Sequence, residues 1–284
     1  METIRYPGEI LRDTLRETGF LQVVGALNAY TGILAAQAGF SALYVSGAGV
    51  SNASLGKPDL GLTTIRDVLI DTARLVRATS LPVLVDADTG FGRIGETVAM
   101  LEAVGAAGLH IEDQVDKKRC GHRSGKVLVT IDAMCARLRQ AILARKHASF
   151  VIMARCDALE NEGIEATVVR CKAYIAAGAD MIFVDGVTNE AEYRILARLP
   201  VPVLANITEF GRTPLFTVEE LKEFGVQLAL YPLSAFRAMN LAAQEVYQTI
   251  HEKGTQASLI PKMQTREALY KTLGYEKLEA EQRP

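Results

Sequence analysis

The feature that most constrains this chain is a series of eight short apolar segments, each cut off by a polar residue or a glycine turn. Leu21–Val24, Ala42–Val45, Leu81–Val85, Leu109–Ile111, Phe150–Ala154, Met181–Val184, Pro202–Ala205 and Val226–Leu230 lack the polar alternation of a half-solvated strand. Strands that are apolar on both faces belong to a parallel sheet covered by helices. Helical periodicity fills the gaps, with helices expected over about 28–38, 64–79, 96–106, 131–146 and 165–177. With 284 residues and no domain-scale linker, the eight units fit one (β/α)8 TIM barrel, for which roughly 250 residues is typical. An open doubly wound sheet has the same local pattern. The closed barrel is favoured because nearly every strand ends in a polar residue on its C-terminal side, where barrel enzymes build their sites.

The expected organisation is a single barrel domain over residues 1–284, with 255–284 as a C-terminal helical extension that packs on a neighbouring subunit. Residues 1–18 read as a polar N-terminal helix, and Leu11 and Leu15, four apart on one face, predict packing against the outside of the domain. The charge is close to balanced, 31 basic against 33 acidic residues without long blocks, which argues against nucleic acid as a partner. No apolar run approaches the roughly 18 to 20 residues that span a bilayer, so no membrane partner is expected. Cys120, Cys135, Cys156 and Cys171 have no metal-type spacing, and the charged segment Met1–Arg16 does not read as a secretory leader. Reduced thiols and a cytoplasmic location follow.

Four stretches carry chemistry. In Val85-Asp86-Ala87-Asp88-Thr89-Gly90, residues i and i+2 of an extended strand face the same side, so Asp86 and Asp88 can converge on one cation. Hard oxygen ligands with water completing the shell suit Mg²⁺ or Mn²⁺; a capping aspartate in a glycine turn is the plainer alternative. The other strand-end carboxylates, Glu112, Asp113 and Asp185, favour the metal. Ser46-Gly47-Ala48-Gly49 offers a hydroxyl and backbone N–H groups to a carboxylate, or is simply a tight turn. Arg155, directly after a wholly apolar strand, and Arg237 and Arg266 are candidates for bidentate carboxylate binding. Cys120 sits among Lys117, Lys118, Arg119, His122 and Arg123, a field that favours the thiolate and suits proton exchange near neutrality. Equally, it reads as a lone cysteine in a basic surface loop. Cys135 and Cys171 fall in helical patterns and read as core, and His110, inside a strand, reads as structural.

Taken together, KKRCGH, VDADTGFG, HIEDQ, NITEFGRTPLFT, YPLSAFRAMN and MQTR resemble, in order, the motifs of the isocitrate lyase and phosphoenolpyruvate mutase superfamily, from about Ser46 to Tyr275. The resemblance is strongest to its members that cleave 2-methylisocitrate, a small tricarboxylate, to pyruvate and succinate in the methylcitrate cycle of propionate breakdown. It implies a (β/α)8 barrel in a homotetramer whose C-terminal helices are exchanged between subunits. It also implies Mg²⁺ at Asp86 and Asp88 with support from Glu112, and Cys120 as the acid/base assisted by Lys118 and His122. Substrate contacts would come from Ser46, Gly47, Ala48, Cys120, Gly121, Arg155, Asp185, Asn206, Ile207, Thr208, Arg237 and Arg266, with Tyr44 handling the substrate hydroxyl proton. The chain departs from the usual pattern at Ala48, Cys156 and Asp185, three positions expected to line the pocket. Related acids such as 2,3-dimethylmalate or isocitrate are therefore alternative substrates. The Cys-Gly-His loop argues against the phosphonate and oxaloacetate branch. A non-catalytic, dicarboxylate-binding barrel is the alternative from another class.

Overall fold

The computed structural model describes residues 5–116 and 125–282. Lys118, Cys120, Gly121 and His122 lie outside these described residues. The chain divides into two compact units, residues 1–234 and 235–284, each described by itself.

In the first unit, β1 (Leu21–Gly25), β2 (Ala42–Val45), β3 (Val83–Asp86), β4 (Gly108–Glu112), β5 (Val151–Cys156), β6 (Met181–Val184), β7 (Val203–Asn206) and β8 (Leu228–Tyr231) close into a parallel barrel in sequence order. The closing pair is β1 with β8, Leu21 opposite Leu228. Strand alternation sorts the apolar residues into two clusters. Val23, Ala42, Tyr44, Leu84, Met153, Phe183, Leu204 and Leu230 fill the barrel interior. Leu43, Val45, Val85, Ile152, Ile182 and Ala205 face outward and pack with helix residues such as Val68, Leu75, Leu101 and Leu138. Both strand faces are thus buried, which is why the sequence shows continuous apolar runs.

The N-terminal helix, Pro7–Thr18, packs on the barrel through Leu11 and Leu15, the face expected to pack. Leu11 and Leu15 are buried in the same cluster as the barrel interior, so this helix closes the end of the barrel opposite the strand C-termini. Gly8 permits the contact: a Cβ there would lie 2.3 Å from the Ser149 carbonyl oxygen. Arg12 secures it, donating to Ser149 O at 2.9 Å and pairing with Asp180 at 2.9 Å.

The crossover helices start where side-chain caps allow. Thr64 caps Ile65–Ala78 and Thr130 caps Ile131–Ala144, each accepting from a backbone N–H in the first turn. The helix expected from 165 runs over Leu159–Ala176, broken at Gly163 (φ 75°, ψ 175°), and the periodicity marks only the part beyond that break. Glu190–Leu196 and Val218–Glu223, capped by Asn189 and Thr217, have 7 and 6 residues, too few to show a 3.6-residue period.

The second unit contains most of the helix Ser234–Lys253, a 3₁₀ turn at Ala257–Lys262, and helices Arg266–Leu273 and Tyr275–Gln282. Tyr270 and Tyr275 stack at 4.4 Å. No residue of its three α-helices is buried, and Met239, Leu241, Tyr247, Leu273 and Leu278 are exposed.

Candidate active site

The inward-facing positions change character along each strand. On β3, Leu84 is followed by Asp86; on β4, Gly108 by His110 and Glu112; on β5, Val151 and Met153 by Arg155; on β7, Leu204 by Asn206. All the polar residues of this set are at most 8% exposed, so they form one buried polar layer above the apolar interior, at the C-terminal mouth. Register places Asp86 opposite His110 and Glu112 opposite Arg155.

Asp86 and Asp88 do converge, but not by strand alternation. β3 ends at Asp86, and Asp88 sits in the left-handed region (φ 46°) within a turn continued by Gly90, Phe91 (φ 53°) and Gly92. That turn is tied down: Asp88 N–H donates to Asp86 Oδ1 at 3.1 Å and Glu112 N–H donates to Asp88 O at 2.9 Å. Across from it, Ser46 caps the turn Gly47–Gly49 by accepting from Gly49 N–H at 3.2 Å, and Gly47 N–H donates to Asp86 Oδ2 at 3.1 Å. A Cβ on Gly47 would sit 2.9 Å from Asp86 Oδ2 and 3.1 Å from Asp88 Oδ1, so both carboxylates border the spot that the glycine leaves open. Two oxygen-only ligands at one point fit a hard divalent cation that keeps part of its water. Among the described residues, no three His, Cys, Asp or Glu side chains form a complete cage.

Arg155 is the centre of the opposite wall. Its Nε and Nη2 hold Asp157 in a bidentate pair at 2.9 and 3.0 Å, Nη2 also meets Asp185 at 2.8 Å, and Nε lies 3.3 Å from Glu112. Phe183 stacks beneath the guanidinium at 5.2 Å. Burial works against the charge, but Asp157, Glu112 and Asp185 more than offset it and hold the pKa well above its ordinary value. Among the described residues Nη1 makes no hydrogen bond, which leaves one edge for an incoming anion. Asp185 also accepts from Gly186 N–H at 3.0 Å and Asn206 Nδ2 at 3.2 Å.

His110, read as structural, is fully buried beside the site. Its Nε2 lies 2.7 Å from the Tyr44 hydroxyl and 3.7 Å from Asp86 Oδ1. Burial, then the negative field of Asp86, pushes the Tyr44 pKa well up, so the phenol keeps its proton at neutral pH.

The described residues on either side of 117–124 are tied to one another and to the site. Val115 N–H donates to Val127 O and Val129 N–H to Asp113 O, at 3.0 and 2.9 Å. Thr89 donates to Asp116 at 3.1 Å, and Lys126, only 4% exposed, reaches Asp157 at 3.4 Å. Asp113, behind the site, accepts from Asp157 N–H at 2.8 Å and from the Tyr174 hydroxyl at 2.7 Å. Burial and the nearby Asp157 raise the pKa of Asp113.

The barrel thus brings together Tyr44, Ser46, Gly47, Asp86, Asp88, Glu112, Arg155, Asp185 and Asn206. Ala48 is half-buried in the turn after Ser46, and Thr208 is buried just beyond β7. The Ile207 side chain packs into the outer cluster, away from the mouth. Cys156 does not line the pocket: with Arg155 inward, alternation turns it outward into the helix layer beside Cys171. Burial and the hydrogen bond with Cys171 raise its thiol pKa well above the ordinary value. Arg237 and Arg266 belong to the second unit, Arg266 directly after the Thr265 cap of its helix. His110, Asp157, Phe183 and Lys126 were missed as site residues. For the first three, the available signal was spacing by two from residues already suspected: 110 from 112 on β4, 157 from 155 at the end of β5, and 183 from 185 at the end of β6.

A parallel (β/α)8 barrel whose C-terminal mouth sets a converging pair of carboxylates against a buried arginine defines an enzyme scaffold of the cation-and-carboxylate class. The chain belongs to the phosphoenolpyruvate phosphomutase family, whose model matches residues 11–251. It is 51% identical over 278 residues to 2-methylisocitrate lyase of Escherichia coli (strain K12), covering 96% of this chain and 94% of that protein. Among solved structures, 2,3-dimethylmalate lyase superposes with a TM-score of 0.90 at 32% identity, covering 98% of this chain and 95% of the other. A phosphonopyruvate hydrolase in complex with oxalate and Mg²⁺ superposes with a TM-score of 0.85 at 26% identity, covering 97% and 98%.

Proposed function

We propose that this protein is a divalent-metal-dependent carbon–carbon lyase that cleaves 2-methylisocitrate to pyruvate and succinate. The observation that carries the reading is the mouth itself: Asp86 and Asp88 converge at Gly47, facing an arginine with a free edge, in a chain 51% identical to a 2-methylisocitrate lyase. Asp86 and Asp88, with support from Glu112, would hold Mg²⁺, or Mn²⁺ in its place, largely through water, and the ion would supply the Lewis acid for the oxygen charge of the developing keto acid. Arg155 takes one substrate carboxylate through Nη1. Ser46, the backbone N–H groups of the Gly47–Ala48 turn, Asn206, Thr208 and the backbone of Ile207 take the others, with Arg237, Arg266 and Gly121 completing the set.

The substrate hydroxyl gives its proton to the Tyr44 oxygen as Tyr44 hands its own to His110 Nε2, 2.7 Å away, with His110 protonated on Nδ1 beforehand. As the carbonyl forms, the carbon–carbon bond breaks and its electron pair passes to the succinate half, where arginine and backbone donors stabilise the carboxylate-conjugated carbanion. The Cys120 thiol protonates that carbon, with Lys118 and His122 beside it in sequence; once the products leave, His110 releases its extra proton to solvent and the Cys120 thiolate takes one up, which restores both groups before the next turnover, and in the condensing direction the Cys120 thiolate is the base. A location in the cytoplasm and a place in propionate breakdown accord with this chemistry. The apolar residues exposed on the helices of 235–284 support assembly into a homotetramer through exchanged C-terminal helices.

The test is keto-acid release from 2-methylisocitrate, isocitrate, 2,3-dimethylmalate and phosphonopyruvate with Mg²⁺. Pyruvate from 2-methylisocitrate well above the others is the expected result. Preference for 2,3-dimethylmalate would favour the second reading, which the likeness to its lyase motivates. No turnover of any substrate would remove the lyase assignment.

A further inference from the structure

Lys126 is an unusual residue to find where it is. It is 4% exposed, its ammonium lies 3.4 Å from Asp157 Oδ1, and its own carbonyl accepts from Asn161 Nδ2 at 2.9 Å. A lysine is seldom buried unless an acid partner needs its charge. That partner, Asp157, is itself the bidentate partner of Arg155. Arg155 shares one positive charge among Asp157, Asp185 and Glu112, at 2.8 to 3.3 Å. A guanidinium so surrounded presents a weak field to a further anion.

We propose that Lys126 is a positioning residue that works through Asp157: its charge draws on the Asp157 carboxylate and so leaves Arg155 electropositive at its Nη1 edge, where a substrate carboxylate binds. Two features support the through-residue route. The Asp157 main chain is fixed by its N–H donating to Asp113 at 2.8 Å, and its carboxylate lies between both cations, at 2.9 and 3.0 Å from Arg155 and 3.4 Å from Lys126. Asn161 anchors the lysine backbone, so the Nζ position is set by the helix that follows β5 and not by the substrate. Lys126 has the role of a second cation that never meets the ligand.

The inference rests on the proposed role of Arg155 in holding a substrate carboxylate. Its test is therefore run on two readouts, steady-state kinetics with 2-methylisocitrate and calorimetric binding of succinate to the Mg²⁺-loaded protein. Lys126→Gln keeps a hydrogen-bond donor and removes the charge; Lys126→Arg keeps both. The glutamine variant is expected to raise KM and weaken succinate binding about tenfold or more, the scale of removing one member of a buried charge pair. Its kcat should stay within a few-fold, and Lys126→Arg should restore binding. A glutamine variant with unchanged KM and succinate affinity overturns the proposal, and so does an equal loss in Lys126→Arg. If Lys126→Gln does not fold, the arginine variant decides together with Asn161→Ala, which loosens the anchor without removing charge: weaker succinate binding in Asn161→Ala with Lys126→Arg intact supports the role, and unchanged binding sinks it. Wild-type protein that binds succinate but does not turn over 2-methylisocitrate would fault the assigned reaction while leaving the binding test of Lys126 valid.

Discussion

The two ends of the barrel are built from the same strands and have opposite chemistry. At the N-terminal end the inward positions are Leu21, Val23, Ala42, Leu84, Val151, Met181 and Leu228, closed over by Leu11 and Leu15 of the N-terminal helix. Two or four residues further along β2, β3 and β5 the inward positions become Tyr44, Asp86 and Arg155, with Glu112 at the end of β4, still buried but charged or polar. An apolar plug tolerates approximate complementarity, because dispersion and burial are nondirectional. The mouth does not, because each buried charge needs a partner at hydrogen-bond distance. Stability therefore concentrates at one end of the strands and function at the other, and substitutions should separate them.

The largest effect is expected from Arg155→Met, which leaves Asp157, Asp185 and Glu112 buried without their shared cation. Breaking a buried pair in this way costs about 3–5 kcal/mol, read as a lowered midpoint in denaturant melts, with substrate binding lost as well. Leu11→Ala should cost about 2–5 kcal/mol by opening a cavity at the closed end, yet leave kcat and KM of the folded fraction unchanged. An activity loss matching that of a mouth variant would break the division between the two ends. Cys120→Ser should lower turnover roughly 10²-fold or more, the scale of general acid–base catalysis, with substrate affinity kept; near-normal turnover would remove Cys120 as the proton donor.

Gly47→Ala sharpens the comparison at a single methyl. The added Cβ would crowd Asp86 Oδ2 at 2.9 Å and Asp88 Oδ1 at 3.1 Å, so Mn²⁺ affinity measured by paramagnetic resonance should fall about 10–100-fold. Unchanged affinity would place the cation elsewhere. The smallest effect belongs to Glu162→Gln, in the first turn of the helix Leu159–Ala176. The hydrogen bonds from Arg170 lower the Glu162 pKa below its ordinary value, so the contribution is present above the unfolded-state pKa and is lost as pH falls through the folded one. Wild type should therefore exceed the variant in stability near neutrality, and the gap should close in acid; a gap that persisted in acid would assign the effect to packing.

How much of this was legible beforehand follows the range of the interactions. The eight strands were readable because each carries its burial pattern within four to six residues. The helices Glu190–Leu196 and Val218–Glu223 left no periodic trace because neither completes two turns. The acids Asp86 and Asp88 were found through an argument from extended backbone, but a left-handed residue at Asp88 does the converging. Cys156 was expected in the pocket as a departure from the family pattern beside Arg155, and the same alternation that points Arg155 inward points Cys156 out.

By itself the sequence determined eight parallel strands buried on both faces and which end of each would be polar, a pattern that favoured the closed barrel over an open sheet, since strand burial and its termination are local and repeat eight times. Only the tertiary structure decided that the N-terminal helix seals the barrel, that His110 backs Tyr44, and that Lys126 and Asn161 brace the Asp157–Arg155 pair. The physical reason is range: a burial pattern is written in neighbouring residues, whereas a buried charge finds its partner across the barrel, where only the closed sheet sets the distance.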